Sequence, residues 1–551
     1  MTLSSSPNFA FYYTGDAYTT TRKIMGRQSA GKALMNGVAR RWSTGEIHAF
    51  GADRKGGEQM LAQLRANGHS GSVRWREAPG DAAMTQLGAL YYPAPPSNDL
   101  AKARNTRGPA AYSLFGVTHT LSSAGAMDQI SQMVLPPFQQ WDALICTSSA
   151  ALEIVTRMQE QMRQWMAEHT GATRFNAIQL PVIPLGIDVP AFLSTEDDRK
   201  AARALLGLDP DEVAFLFAGR LTFHAKANPI PFYQAVQSAC ERMGCRLTVV
   251  EAGVYPNDAI AAAFDRARAE LAPSARFIYV DGRDDARFRA AWRGSDVFVS
   301  LSDNIQETFG LTPLEGMAAG LPVLVSDWNG YKDTVRDGVD GYRIPVLAPP
   351  EGMGNVLAAR HALEQDTYDF YIGRVSLSTV VDPDALIQRV VELASAPELR
   401  RRLGEAGRLR ATQEFDWPVI LDRYFDMVEG LGEIRASAGS HPPQPWPMRP
   451  DPFSLFSGYP TAVVGLEWRV AVRDANGKAL DVLLEMTPAR YGLHDTLLPA
   501  ATIRTIHRSL SVEEQTVGNL LAAVPGSRAT NFRALMWLAK FGLAALAPGS
   551  R

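Results

Sequence analysis

Two carboxylates, Glu307 and Glu315, stand with seven residues between them in the run ETFGLTPLEGMAAGLPV, across a Gly/Pro-containing turn that leads into a helical pattern. The first turn of a helix has backbone N–H groups without intrahelical partners and carries the positive end of the helix dipole, so it attracts phosphate. A carboxylate on each side of such a turn can accept hydrogen bonds from sugar or ribose hydroxyls. An anion cradle between two polyol acceptors is what a nucleotide-sugar site needs. Two glutamates at this spacing arise often by chance; the strand before them and the helix after them make the pair a candidate site.

Positioning that turn requires a scaffold, and the chain supplies it twice. Short apolar runs alternate with longer helical patterns, which predicts βαβ units around a parallel sheet. Strands are expected near residues 9–13, 47–51, 73–76, 88–92, 113–117 and 143–147. After VIPLGIDVPAF (residues 182–192) the pattern restarts, with strands near 213–217, 247–251, 276–280, 297–300 and 322–325. The fold class is therefore α/β: two doubly wound, Rossmann-like domains facing across a cleft, with ligands expected at the strand carboxyl ends. The expected divisions are residues 1–185 and 186–433 for the two domains, a Pro-rich linker over 434–455 (HPPQPWPMRPDP) and a small α+β extension over 456–551.

The spacing of Glu307 and Glu315 resembles the E-x7-E signature of retaining glycosyltransferases of family 4, which have the GT-B fold. Other segments resemble that family in the matching order. AGRLTFHAKANP (218–229) is similar to its Gly-Arg-Leu…Lys segment after the first strand of the second domain, and GVTHTLSS (116–123) to the strand end bearing a histidine. DALICTSSA is similar to the last strand of the first domain, and EFDWPVILDRYFDMV (414–428) to the terminal helix that returns onto that domain. The resemblance covers residues 1–433.

The resemblance also implies roles. Glu307 would accept hydrogen bonds from the transferred sugar and Glu315 from the ribose. The backbone at Phe309, Gly310, Leu311 and Thr312 would face sugar and diphosphate. Arg220, with its planar fork, and Lys226, a compact charge, would hold the diphosphate, and His119 would face the donor sugar. Charge on the departing nucleoside diphosphate would be neutralised by Arg220, Lys226 and the helix N-terminus. The donor would be a UDP or GDP sugar, with no cofactor and no metal; Asp284 and Asp285 are expected to cap a helix. Two places depart from the family pattern. Asn329-Gly330 replaces a Gly-Gly after the second glutamate, and MGRQSAG (25–31) replaces the first-loop Gly-Gly.

Composition bounds the function. At 551 residues, 46% hydrophobic and 21% charged, the chain is large enough for several domains. A formal charge of −3 argues against general nucleic-acid binding. The three cysteines, Cys146, Cys240 and Cys245, make neither a disulfide framework nor a zinc site, and core packing is expected of Cys240 and Cys245. The N-terminal stretch lacks a secretory pattern and no run of about 18 apolar residues occurs, so a cytoplasmic setting is expected. From Thr19 to Ser43 lie Arg22, Lys23, Arg27, Lys32, Arg40 and Arg41 with no acidic residue. With Ile24, Met25, Leu34, Met35 and Val38 these could form an amphipathic helix for an anionic leaflet or a lipid-diphosphate acceptor, at the inner face of the cell membrane; the alternative is an ordinary helix packed on its sheet.

Beyond the linker, LEWRVAVRD and KALDVLLEM are expected to be strands, and 511–546 has the rhythm of two helices and an apolar return, similar to a winged-helix module. Such a module suits a protein partner or a dimer contact. Residues 348–382 form a long loop inserted in the second domain, whose Tyr368, Phe370 and Tyr371 either line an acceptor path or pack. Three functions stay open: hexose transfer to a glycan or lipid-linked acceptor in polysaccharide or glycolipid assembly, another GT-B chemistry such as a sugar phosphorylase or nucleotide-sugar epimerase, and a non-catalytic scaffold.

Overall fold

Runs such as SLFGV (Ser113–Val117), VFVS (Val297–Ser300) and VLVS (Val323–Ser326) are buried at every position. Strands covered on both faces belong in parallel sheets with helices on each side. The structure, a computed structural model, describes residues 6–18, 26–77, 83–439, 441–443, 446–473, 477–510 and 514–549. It divides into two compact units, Met1–Trp446 and Pro447–Arg551.

The first unit holds two parallel six-stranded sheets. One consists of β1 (Ala10–Tyr12), β2 (Ile47–Phe50), β3 (Val73–Arg76), β4 (Ala89–Tyr92), β5 (Ser113–Val117) and β6 (Ala143–Ile145), in the order β3-β2-β1-β4-β5-β6. The other consists of β7 (Ala214–Arg220), β8 (Thr248–Val254), β9 (Arg276–Asp281), β10 (Val297–Ser300), β11 (Val323–Ser326) and β12 (Gly341–Ile344), in the order β12-β11-β10-β7-β8-β9. Counted within its own sheet, each order is 3-2-1-4-5-6 or its mirror listing, the doubly wound arrangement in which the strand order reverses beside the first strand. In the second sheet that reversal falls between β7 and β10, from which Arg220 and the Glu307 turn emerge.

The chain crosses between the two sheets twice, and the crossings are bonded to each other. Ile187 N–H donates to the Phe415 carbonyl at 2.8 Å, and Trp417 N–H donates to the Ile187 carbonyl at 3.1 Å. The Trp417 ring, 1% exposed, fills space left by two glycines. A Cβ on Gly37 would lie 2.2 Å from Trp417 Cβ, and one on Gly186 2.6 Å from Trp417 Cδ2. The return helix Trp417–Ser437 then lies on the first domain, with Tyr424 against Tyr91 and Phe115 and Arg435 donating to the Gly88 carbonyl at 2.5 Å.

Several expectations are corrected. The helix Gly26–Arg41 buries Leu34, Met35 and Val38 inside the domain, so this apolar face is not free for a leaflet. Two of the basic residues are engaged by acids near the return helix: Arg40 forks onto Asp416 at 2.9 and 2.6 Å, and Arg41 meets Asp422 at 2.6 Å. Lys32 is exposed, while Arg22, Lys23, Ile24 and Met25 lie outside the described residues. The inserted 348–382 segment is not a plain loop. It starts after β13 (Val346–Leu347), forms helices Asn355–Ala362 and Tyr368–Ser376, and closes with β14 (Val380–Val381) pairing antiparallel to β13. Cys240 is buried but Cys245 is exposed, because Gly244 in the left-handed region ends the helix Ile230–Met243 just before it. Asp284 does cap the helix Asp285–Gly294, accepting from Arg287 N–H at 3.0 Å. Among the described residues no helix is long and apolar enough to cross a membrane.

The second unit has its own core. β15 (Arg469–Val472) lies between β16 (Gln515–Thr516) and β17 (Ala544–Ala547) in an antiparallel sheet. Helices Ala500–Ser509, Val517–Ala523 and Arg528–Lys540 supply Ile503, Ile506, Leu520, Leu535 and Leu538 to its interior. KALDVLLEM, expected as a strand, is the helix Lys478–Glu485, since Leu480 and Leu484 at i,i+4 spacing share its buried face.

Candidate active site

β10 ends at Ser300, and the chain then makes the turn that carries Glu307 into the helix Leu311–Ala318. Gly310 forms the entry with φ of +87°, and a Cβ there would lie 2.0 Å from Tyr331 Cε1. Only glycine fits this corner. On the other side of the reversal, β7 delivers Arg220 and the following loop delivers Lys226. The Lys226 ammonium donates to Glu307 Oε2 at 2.6 Å, with side-chain exposures of 16% and 17%. Arg220 donates to Gln306 Oε1 at 2.8 Å, which holds its guanidinium beside the same turn.

The electrostatics distinguish the two glutamates. Burial pushes the Glu307 carboxyl upward, but Lys226 and the N–H groups of Phe309 and Thr308 outweigh it and hold the group below the ordinary carboxylate range. Burial likewise opposes the Lys226 charge, and Glu307 more than restores it. Among the described residues Glu315 has no such ion-pair partner at bonding distance. Burial raises it to about 7, only partly offset by the charge of Lys226. The Thr312 hydroxyl in the first turn of the helix is buried without a hydrogen-bond partner among the described residues.

His119 follows β5 in the facing domain. Its Nε2 lies 3.0 Å from the Pro93 carbonyl oxygen, and its own carbonyl accepts from the Thr308 hydroxyl. Ser148 Oγ donates to the Thr308 carbonyl at 2.9 Å. The residue next to Glu307 is thus bonded to the opposite wall: Lys226, Glu307 and Arg220 gather at one turn, and the backbone of His119 meets that turn from the facing domain. Phe309 is 2% exposed.

Asn329 explains how the turn tolerates its departure from Gly-Gly. It adopts φ of +42°, in the left-handed region that asparagine accepts, and its side-chain amide donates to the Glu307 carbonyl at 2.8 Å.

Residues that the motif reading passed over complete the frame. Asn304 accepts from Gln306 N–H at 2.7 Å and donates to the His224 carbonyl, and Trp328 Nε1 donates to the Asn304 carbonyl at 3.0 Å. Ser302 Oγ donates to the Lys226 carbonyl at 3.2 Å and Tyr331 OH meets Ser300 Oγ at 2.8 Å. Asp303 is 6% exposed, and burial lifts its carboxyl to about 7 against the pull of two backbone N–H groups, its own and that of Asn228. The polar run Ser302-Asp303-Asn304 directly after an apolar strand was the available signal.

Two doubly wound parallel sheets, with basic residues and a helix N-terminus at the strand-order reversal of one, define an α/β architecture of the GT-B type. Residues 198–350 match the family model of glycosyl transferases group 1. A D-inositol 3-phosphate glycosyltransferase of Nocardia farcinica is 32% identical over 190 residues, which are 34% of this chain and 40% of that protein. The chain thus spans less than half of that relative. A phosphatidyl-myo-inositol mannosyltransferase of Mycobacterium tuberculosis is 26% identical over 350 residues, 62% of this chain and 74% of that protein. In fold, a glycosyltransferase from Rickettsia africae superposes with a TM-score of 0.50 at 10% identity, covering 77% of this chain and 98% of that one.

Proposed function

We propose that the chain is a retaining glycosyltransferase that moves a hexose from a nucleoside-diphosphate sugar to a glycan or lipid-linked acceptor. The observation that carries the reading is the Lys226–Glu307 pair, held beside Arg220 and the uncapped helix start at the sheet reversal. In this reading the diphosphate lies on Arg220, Lys226 and the N–H groups entering the helix at Gly310 and Leu311. As the glycosidic bond breaks, charge gathers on the departing phosphate, and these groups are fixed in advance to meet it. Lys226 exchanges part of its bond to Glu307 for a phosphate oxygen, which frees the carboxylate to accept sugar hydroxyls. Glu315 holds the ribose and the His119 side chain faces the sugar. The family relatives named above act on inositol-containing acceptors by their names, which supports a polyol or lipid-linked acceptor.

A thermal-shift panel of UDP, GDP and ADP sugars tests donor binding. A ligand at 100 times its dissociation constant adds about 2.7 kcal/mol to stability. Donor-dependent release of nucleoside diphosphate should be detectable in the full chain and fall at least about a hundredfold in Glu307→Ala. No release with any of the three donors, from a chain that binds none of them, overturns the reading.

A further inference from the structure

The inserted segment is tied to both walls of the cleft. On the donor side, the helix Tyr368–Ser376 rests on the loop after β7: a Cβ on Gly373 would lie 3.1 Å from His224 Cβ, and Asp369 Oδ2 is 3.8 Å from His224 Nε2. The His224 carbonyl in turn accepts from Asn304, which accepts from the Gln306 N–H, whose side chain accepts from Arg220. The two inserted helices are locked to each other. Asp366 accepts from Arg360 at 2.9 Å and from Arg374 at 2.5 Å, and Tyr371 stacks on His361 with ring centroids 4.2 Å apart.

From this base one side chain reaches the opposite domain. Tyr368 OH lies 3.0 Å from Thr120 Oγ1 and 2.8 Å from Ser122 Oγ. These hydroxyls belong to the loop after β5, and Thr120 adjoins His119. On its other side, the His119 carbonyl accepts from Thr308. His119 is therefore framed by two donor-domain hydroxyls, one from the turn beside Glu307 and one from the insertion. Phe370, two residues on, is 63% exposed.

We propose that Tyr368 is a positioning residue: its hydroxyl clasps the Thr120–Ser122 loop and fixes His119 opposite Glu307 when the two domains are closed. The proposal rests on the glycosyl-transfer reading for its catalytic consequence. The insertion then acts as a strap, anchored on the donor domain and latched by Tyr368 to the acceptor domain. Because the latch lies on the His119 wall and not on the diphosphate, its loss should slow turnover and leave donor binding in place.

The test compares the full chain with Tyr368→Phe, which keeps the ring, and Tyr368→Ala. Hydrogen exchange is read without ligand in peptides covering residues 113–123, and turnover is read with the donor selected by the thermal-shift panel. The expected result is exchange about tenfold faster in that loop alone, the amount a hydrogen bond of ordinary net strength is worth. Alongside it, kcat falls about tenfold with the donor KM within twofold. Unchanged exchange in both variants overturns the proposal, and so does acceleration spread through the whole chain with a matching loss of Tm, which marks a merely structural role. Faster exchange confined to the loop in a chain that turns over no donor supports the clasp and defeats the glycosyl-transfer reading, so the two failures are distinguishable.

Discussion

Glu307 and Glu315 belong to one short motif, yet their environments separate them. Glu307 is held as a carboxylate by Lys226. Glu315 is raised to about 7 by burial. A carboxyl raised in the folded state contributes stability that is complete below its unfolded pKa, about 4.3, and is lost as pH climbs through the folded value. Between about pH 4 and 7 the wild-type chain should therefore lose stability relative to Glu315→Gln, and the difference should level off above pH 7; denaturant unfolding across that range checks it. Asn329 gives a second residue-scale prediction. Asn329→Val places a β-branched side chain at φ of +42° and removes the bond to the Glu307 carbonyl. A loss of about 2–3 kcal/mol is expected from backbone strain plus one hydrogen bond, measured as a shift in the unfolding midpoint.

At the scale of elements, the turn into the helix Leu311–Ala318 is the most constrained piece of the fold. Gly310→Ala puts a Cβ at φ of +87° and 2.0 Å from the Tyr331 ring, so the turn must shift. Stability should fall by about 2–3 kcal/mol, and donor-induced thermal stabilisation should drop with it because the N–H groups that follow are displaced. Elements of this kind were legible in the sequence. The strands β7, β8, β10 and β11 were marked by continuous apolar runs, and the Glu307 turn by its Gly/Pro composition. β12 was not, because a short edge strand beginning in a Gly-rich turn and carrying Arg343 shows no apolar run. The helix Asn355–Ala362 buries no residue, so no periodicity betrays it. In the candidate site, Glu307, Glu315, Arg220 and Lys226 were singled out by the resemblance of their segments to a family pattern, and the structure sets Glu307, Arg220 and Lys226 beside one turn. The bonds from Thr308 to His119 and from Tyr368 to Thr120 join residues 189 and 248 positions apart, and no local pattern encodes such a meeting.

At the scale of the whole molecule, the unit Pro447–Arg551 has a core of its own, with Ile503, Ile506, Leu520, Leu535 and Leu538 all buried against one another. Expressed alone it should give a cooperative melt, and the chain ending at Trp446 should retain donor-induced thermal stabilisation; a 447–551 fragment that calorimetry finds unfolded counts against that independence. The larger unit follows a different logic, because its two sheets are joined by the chain going out at Ile187 and coming back at Phe415–Trp417, bonded side by side. A single tether lets two bodies swivel freely. A paired one resists twist, which narrows the ways in which the walls carrying His119 and Thr308 can meet and leaves the contacts in the cleft less to do in setting their register.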